Sequence, residues 1–110
     1  MGLIHVMMEV LVGVNGVYDV VCGLWPGRSP HKDMFVEIDE RALRYLGYWV
    51  AGAGAIRLAS AVLHHLEFAA LTYLIEAIVF AHEHLVHKNM VAWRVAFVCV
   101  SSLALAALTI

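Results

Sequence analysis

Five ionisable residues, Glu9, Asp19, Arg57, Glu76 and Glu83, stand inside long apolar stretches of this 110-residue chain. A charge in such a place is costly unless it is paired or wet, so each marks an internal ion pair or a path for protons or ions. Counting about 1.5 Å of helical rise per residue from the ends of the stretches sorts them into two layers. Glu9, Arg57 and Glu76 fall together; Asp19 and Glu83 fall in a second layer, level with Arg44 and Arg94. The chemistry expected is Arg57 paired with Glu76 or Glu9, and Asp19 and Glu83 matched to interfacial arginines. Arg suits the first role because its planar fork can hold two carboxylates at once. Pairing that fixes helix register is the ordinary reading of these groups. A proton or ion path through Glu9, Arg57, Glu76 and Glu83 is the sharper one.

Seven histidines invite a metal or haem reading. Facing histidines deep in two helices would be needed for bis-histidine haem ligation, but His64, His65, His84 and His87 cluster at the ends of apolar stretches. His82 is the only well-embedded candidate. A di-iron carboxylate site would repeat Glu-x-x-His on two helices, and no such pair occurs. Tyr73, Glu76, Phe80, Glu83 and His87 follow helical spacing and form one polar-aromatic stripe. No nucleophile elbow, Gly-rich phosphate loop or nucleophile with a nearby base is present. The chain therefore reads as a non-enzyme, with no cofactor and no metal expected.

The elements that position these groups follow from charge sorting. Six of the seven Lys/Arg residues lie at alternate junctions between four apolar stretches: Arg28, Lys32, Arg41 and Arg44 at the first, Lys88 and Arg94 at the third. Short loops rich in Lys/Arg are retained on the side of insertion, so this pattern belongs to a polytopic membrane protein. A composition that is 63% hydrophobic and only 15% charged agrees, as does a mean hydropathy of +0.82. A net charge of -2 with scattered basic residues argues against nucleic acid. Since about 20 helical residues cross a bilayer core, the spans are placed at residues 3–25, 42–63, 68–86 and 90–110. A polar loop covers 26–41, where Pro26-Gly27 stops the first helix. The expected fold is a single all-α membrane domain over 1–110, an up-down antiparallel bundle of four transmembrane helices, with both termini opposite the basic loops. No cleavable leader is expected, because Glu9, Asn15 and Asp19 interrupt what would be its apolar core. Cys22 and Cys99 read as small buried hydrophobes rather than a disulfide.

Gly47, Ala51, Ala55 and Ala59 recur every four residues in the second span. Small residues at that spacing let a neighbouring backbone approach, so this face, with Trp49 beside it, is the expected packing centre.

The segment Arg44-Tyr45-Leu46-Gly47-Tyr48-Trp49, followed by Arg57 and Ala61, resembles the signature region of the ergosterol biosynthetic protein 28 family. Thr72 and His82 stand at the spacing of a family Thr and His, so the resemblance runs from about Arg44 to His87. The family's acidic residue one turn after that His is Val86 here, and the basic tail is missing. The resemblance implies a small four-span protein of the endoplasmic reticulum that tethers sterol C4-demethylation enzymes. It gives Arg44, Gly47, Trp49, Arg57 and His82 the task of maintaining the bundle and its docking face. The expected function is thus a non-enzymatic membrane scaffold or accessory subunit, in contact with membrane lipids and other integral membrane proteins. Two alternatives stand beside it: a supernumerary subunit of a mitochondrial inner-membrane complex (ATP synthase or respiratory chain), and a small proton- or ion-conducting module.

Overall fold

The computed structural model describes residues 2–109 and is all-helical apart from one isolated bridge. Four helices follow in order: α1 (Gly2–Leu24), α2 (Glu40–Val62), α3 (Leu66–His82) and α4 (Ala92–Thr109). Their bounds lie within a few residues of the expected spans, α2 and α3 each starting two residues early. Met1 and Ile110, the expected ends of the domain and of the fourth span, lie outside the described residues. Three segments are long and apolar enough to cross a membrane: Gly2–Leu24, Leu66–His87 and Ala92–Thr109. The fourth helix, α2, falls short in apolarity rather than length. It opens on Glu40, Arg41 and Arg44 and carries Arg57, two tyrosines and three glycines.

Local chemistry sets the connections. Leu24 ends α1, and two short 3-10 turns, Pro26–Arg28 and Pro30–Met34, fill the first loop, each led by a proline whose missing N–H suits a first helical position. Asp39 caps α2, its side chain accepting from the Ala42 amide at 2.7 Å. His64, at φ 60, takes the left-handed conformation that closes α2 and turns the chain into α3. After α3 a single π turn, Glu83–His87, ends on Lys88 at φ 54.

The first and third connections lie at the same end of the bundle and are bonded to each other. Val36 N–H donates to Asn89 O and Val91 N–H to Met34 O, both at 2.7 Å. The Asn89 side chain accepts from the Glu37 amide at 3.1 Å and donates to Glu37 O at 2.8 Å. Both basic loops are therefore latched together, opposite the α2–α3 turn.

The helices pack as two hairpins, α1 on α2 and α3 on α4, joined mainly through α2 and α3; α1 and α4 barely meet. The result is a flattened bundle of 43 × 26 × 16 Å. The α1–α2 seam is the closest. A Cβ on Gly16 would stand 2.6 Å from Gly54 O, and one on Gly47 would stand 2.5 Å from Gly23 O. Only glycine permits that approach of backbones. The expected Gly47–Ala51–Ala55–Ala59 face needs correction: Gly47 is buried and Ala51 lies against Gly23, but Ala55 and Ala59 are exposed, as is much of Trp49. A step of four residues overshoots one turn by about 40°, so three such steps rotate the row off the seam. The contact continues instead through Gly54 and Ala61.

Two apolar clusters fill the interior. Met8, Val12, Ala61, Leu66, Ala69, Tyr73 and Ala106 pack towards the end that carries Gly2 and Thr109. Met34, Phe80, Met90 and Val95 pack beneath the basic loops. Between them, at the level of Glu76, lies a polar layer. Outside, large apolar side chains are exposed all round, among them Leu3, Val14, Ile78, Phe97, Val100 and Leu108.

Candidate functional site

Arg57 organises the polar layer. It is 2% exposed although its side chain is among the longest in the protein. Its Nε donates to Thr72 Oγ1 at 3.0 Å, its Nη2 to Glu76 Oε2 at 3.1 Å, and its Nη1 to Asp19 Oδ2, with Asn15 Oδ1 a longer contact at 3.5 Å. The guanidinium carbon sits 3.9 Å from the centroid of the Tyr73 ring, whose hydroxyl donates to Asn15 Oδ1. Thr72 passes the contact on, donating to Ala69 O at 2.7 Å. Ser102 completes the layer by donating to Glu76 Oε2 at 2.8 Å. Asn15 and Asp19 come from α1, Arg57 from α2, Thr72, Tyr73 and Glu76 from α3, and Ser102 from α4. Three helices thus meet on one guanidinium, and α4 joins them through Glu76.

Helix geometry explains how Asp19 reaches it. Gly16 faces Gly54 and Gly23 faces Gly47, so the Arg57 backbone is level with Gly13. Asp19 stands six residues, or about 9 Å, nearer the loops. Side chains lean towards the N-terminus of their own helix, and α1 and α2 are antiparallel. Arg57 therefore leans towards the loops, Asp19 leans away from them, and the gap closes. The expected grouping is corrected at this point. Glu76 is a partner of Arg57, as one of the two expected; Glu9 is not, and Asp19 belongs to the Arg57 layer rather than to a separate one. The depth count treated the helix ends as flush, whereas the first turns of α2 project beyond the end of α1.

The other expected residues lie apart. Glu9 holds His64 Nδ1 across the α2–α3 turn, with His5 3.7 Å away. Arg44 is exposed on the projecting end of α2. Arg94 stacks on Trp93, 4.6 Å from its centroid. Glu83 is half-buried in a groove with Phe35 and Asn89 and pairs with neither arginine. His82 is exposed at the end of α3, its ring 5.7 Å from that of His87. Cys22 and Cys99 are free and half-buried.

The first loop adds a member that the residue count missed. His31 Nδ1 lies 2.6 Å from Ser29 Oγ, and its Nε2 faces Asp19 Oδ1 at 4.0 Å. Burial holds the His31 imidazole below its ordinary value of 6.5; the Glu76 charge opposes the shift and the Arg57 charge adds to it. Asn15, Thr72, Tyr73 and Ser102 were also not grouped with Arg57. Asn15 stands one helical turn before Asp19, a signal that could have drawn both towards the same polar layer.

Each nitrogen of the Arg57 guanidinium has an acceptor, so the group acts as a cross-link and not as an open anion site. The layer nevertheless holds two carboxylates against one guanidinium. Among the described residues no group of three or more His, Cys, Asp and Glu is arranged to hold a metal ion. A cavity of about 350 Å³ reaches the layer from the gap between α1 and α4, lined by Tyr18, His31, Phe80, Trp93, Phe97 and Ser101 as well as the charged groups. Comparison with protein-family models, curated proteins and solved structures gives no match to this chain.

Proposed function

We propose that the chain is an integral membrane protein of four spans that works as a non-enzymatic scaffold or accessory subunit, holding other membrane proteins in a larger complex. One observation carries the reading: the polar layer around Arg57 joins the four helices, while the outward faces carry large apolar side chains. Such a bundle presents surfaces for lipid and for partner helices, and its chemistry is turned inward. The modest apolarity of α2 fits a fourth span whose arginine is matched by Asp19 and Glu76 in the folded bundle.

The resemblance of the Arg44–His87 region to the ergosterol biosynthetic protein 28 family favours sterol C4-demethylation enzymes as partners and the endoplasmic reticulum as the location. A supernumerary role in a mitochondrial inner-membrane complex is the competing assignment within the same class. Affinity purification in mild detergent separates them by what accompanies the chain. Deletion is expected to lower the abundance or assembly of the partner complex without abolishing its catalysis. Recovery of the chain alone under conditions that preserve known complexes would overturn the scaffold reading.

The cavity that reaches Arg57 favours one second reading, a proton- or ion-conducting module. Against it, the cavity lining includes neither Glu9 nor His64, and the apolar cluster around Val12 and Tyr73 lies between. Purified chain in liposomes is expected to move no protons. Flux that disappears in Glu76→Gln would establish conduction instead.

A further inference from the structure

We propose that the cleft between α1 and α4 is a binding site for a small amphiphile carrying one protonated amine, with Glu76 as its counter-ion. The site would exist whether or not the chain belongs to a complex, so the proposal does not depend on the scaffold reading.

Four observations converge on this class of ligand. The cavity of about 350 Å³ is within the ~300–1,000 Å³ of small-molecule pockets. Its floor is short of donors: Glu76 uses Oε2 for both Arg57 and Ser102, while its Oε1 has no hydrogen-bond partner among the described residues. The Glu76 side chain is 14% exposed and lines the cavity. Charge points the same way. Arg57 neutralises one carboxylate, leaving the pair Asp19 and Glu76 with one negative charge in excess at the inner end. Arg94, stacked on Trp93, pairs with neither carboxylate. His31 faces Asp19 at 4.0 Å, but its burial favours the neutral imidazole, so the excess charge stays. The walls are apolar and aromatic, with Phe80, Trp93 and Phe97 on α3 and α4. Aromatic faces attract cations as well as hydrocarbon. An ammonium brings a full charge and three donors, where a hydroxyl brings one donor and a carboxylate brings only acceptors. A bare inorganic cation would match the floor and leave the aromatic walls unused.

The test holds the apolar body constant and varies the head. Adamantan-1-amine, adamantan-1-ol and adamantane-1-carboxylate are titrated into the full chain in nanodiscs. Trp25→Phe and Trp49→Phe leave Trp93, at the mouth, as the fluorescent reporter. The amine is expected to bind saturably at one site and about tenfold tighter than the alcohol, or ~1.4 kcal/mol; the carboxylate is expected not to bind. Glu76→Gln should reduce the amine to the level of the alcohol. Ser101→Phe fills the cavity from α4 without touching the ion pairs, and should abolish binding of both while the helix content is kept. If Glu76→Gln fails to fold, the comparison of heads and the Ser101→Phe block still decide. Equal binding by all three heads, amine binding that survives either variant, or no saturable binding at all would overturn the proposal.

Discussion

Removing Arg57 leaves two buried carboxylates with only the His31 imidazole, 4.0 Å from Asp19, as a basic neighbour among the described residues. Breaking a buried pair from one side costs roughly 3–5 kcal/mol. Arg57→Leu is therefore expected to lower stability by that order in detergent unfolding titrations, while Arg28→Leu, at an exposed loop position, changes little. Equal effects of the two substitutions would deny the polar layer its structural part. His31 gives a second test at the same scale. Its imidazole is held below 6.5 in the folded protein, so between that lowered value and pH 6.5 the unfolded chain binds more protons than the folded one. Its contribution is fully present above pH 6.5 and is lost as the pH falls towards the lowered value. Melting temperature should drop over that window in the parent and less steeply in His31→Gln. A parallel drop in both would assign the effect to other groups.

Among the elements, the α1–α2 seam is the one that tolerates least. A side chain at Gly16 would meet Gly54 O and the Leu58 backbone, and neither can move aside without parting the helices. Gly16→Val should cost about 1–3 kcal/mol as overpacking. Gly52 has open space around its Cβ position, so Gly52→Ala should be neutral or stabilise by up to ~1 kcal/mol. If both glycines respond alike in unfolding titrations, the seam is not as close as described. The same seam marks the limit of what could be read beforehand. Apolar length, Pro26-Gly27 and the clustered Lys/Arg residues are local signals, and they placed all four helices to within a few residues. Register between helices is not local: it depends on Gly16 meeting Gly54 and Gly23 meeting Gly47, and no count along one segment contains that. Hence Arg57 and Glu76 were legible as a pair, Asp19 was assigned to the wrong layer, and His31 was not seen at all. The row through Ala55 and Ala59 failed for a related reason, since a four-residue period is not the helical period.

For the molecule as a whole, the latch between Val36 and Asn89 puts both basic connections at one end, with Gly2 and Thr109 at the other. In the proposed membrane setting, Asp33→Cys and Gly2→Cys, both at exposed positions, should be labelled from opposite sides by a membrane-impermeant maleimide. Labelling of both from one side would refute the four-span arrangement. Arg57 also has a consequence in time. A ribosome delivers α1 before α2, so Asn15 and Asp19 are in place when the arginine emerges, whereas Glu76 is still inside the ribosome. An arginine alone at the centre of a span costs about 2.5–3.5 kcal/mol on the insertion scale. The second helix should therefore enter the bilayer as a hairpin with the first, its early carboxylate serving as escort until the later one arrives. A chain truncated after Leu66 should insert both helices, and the same truncation carrying Asp19→Leu should leave the second outside. Glycosylation tags placed beyond residue 62 would report which has happened.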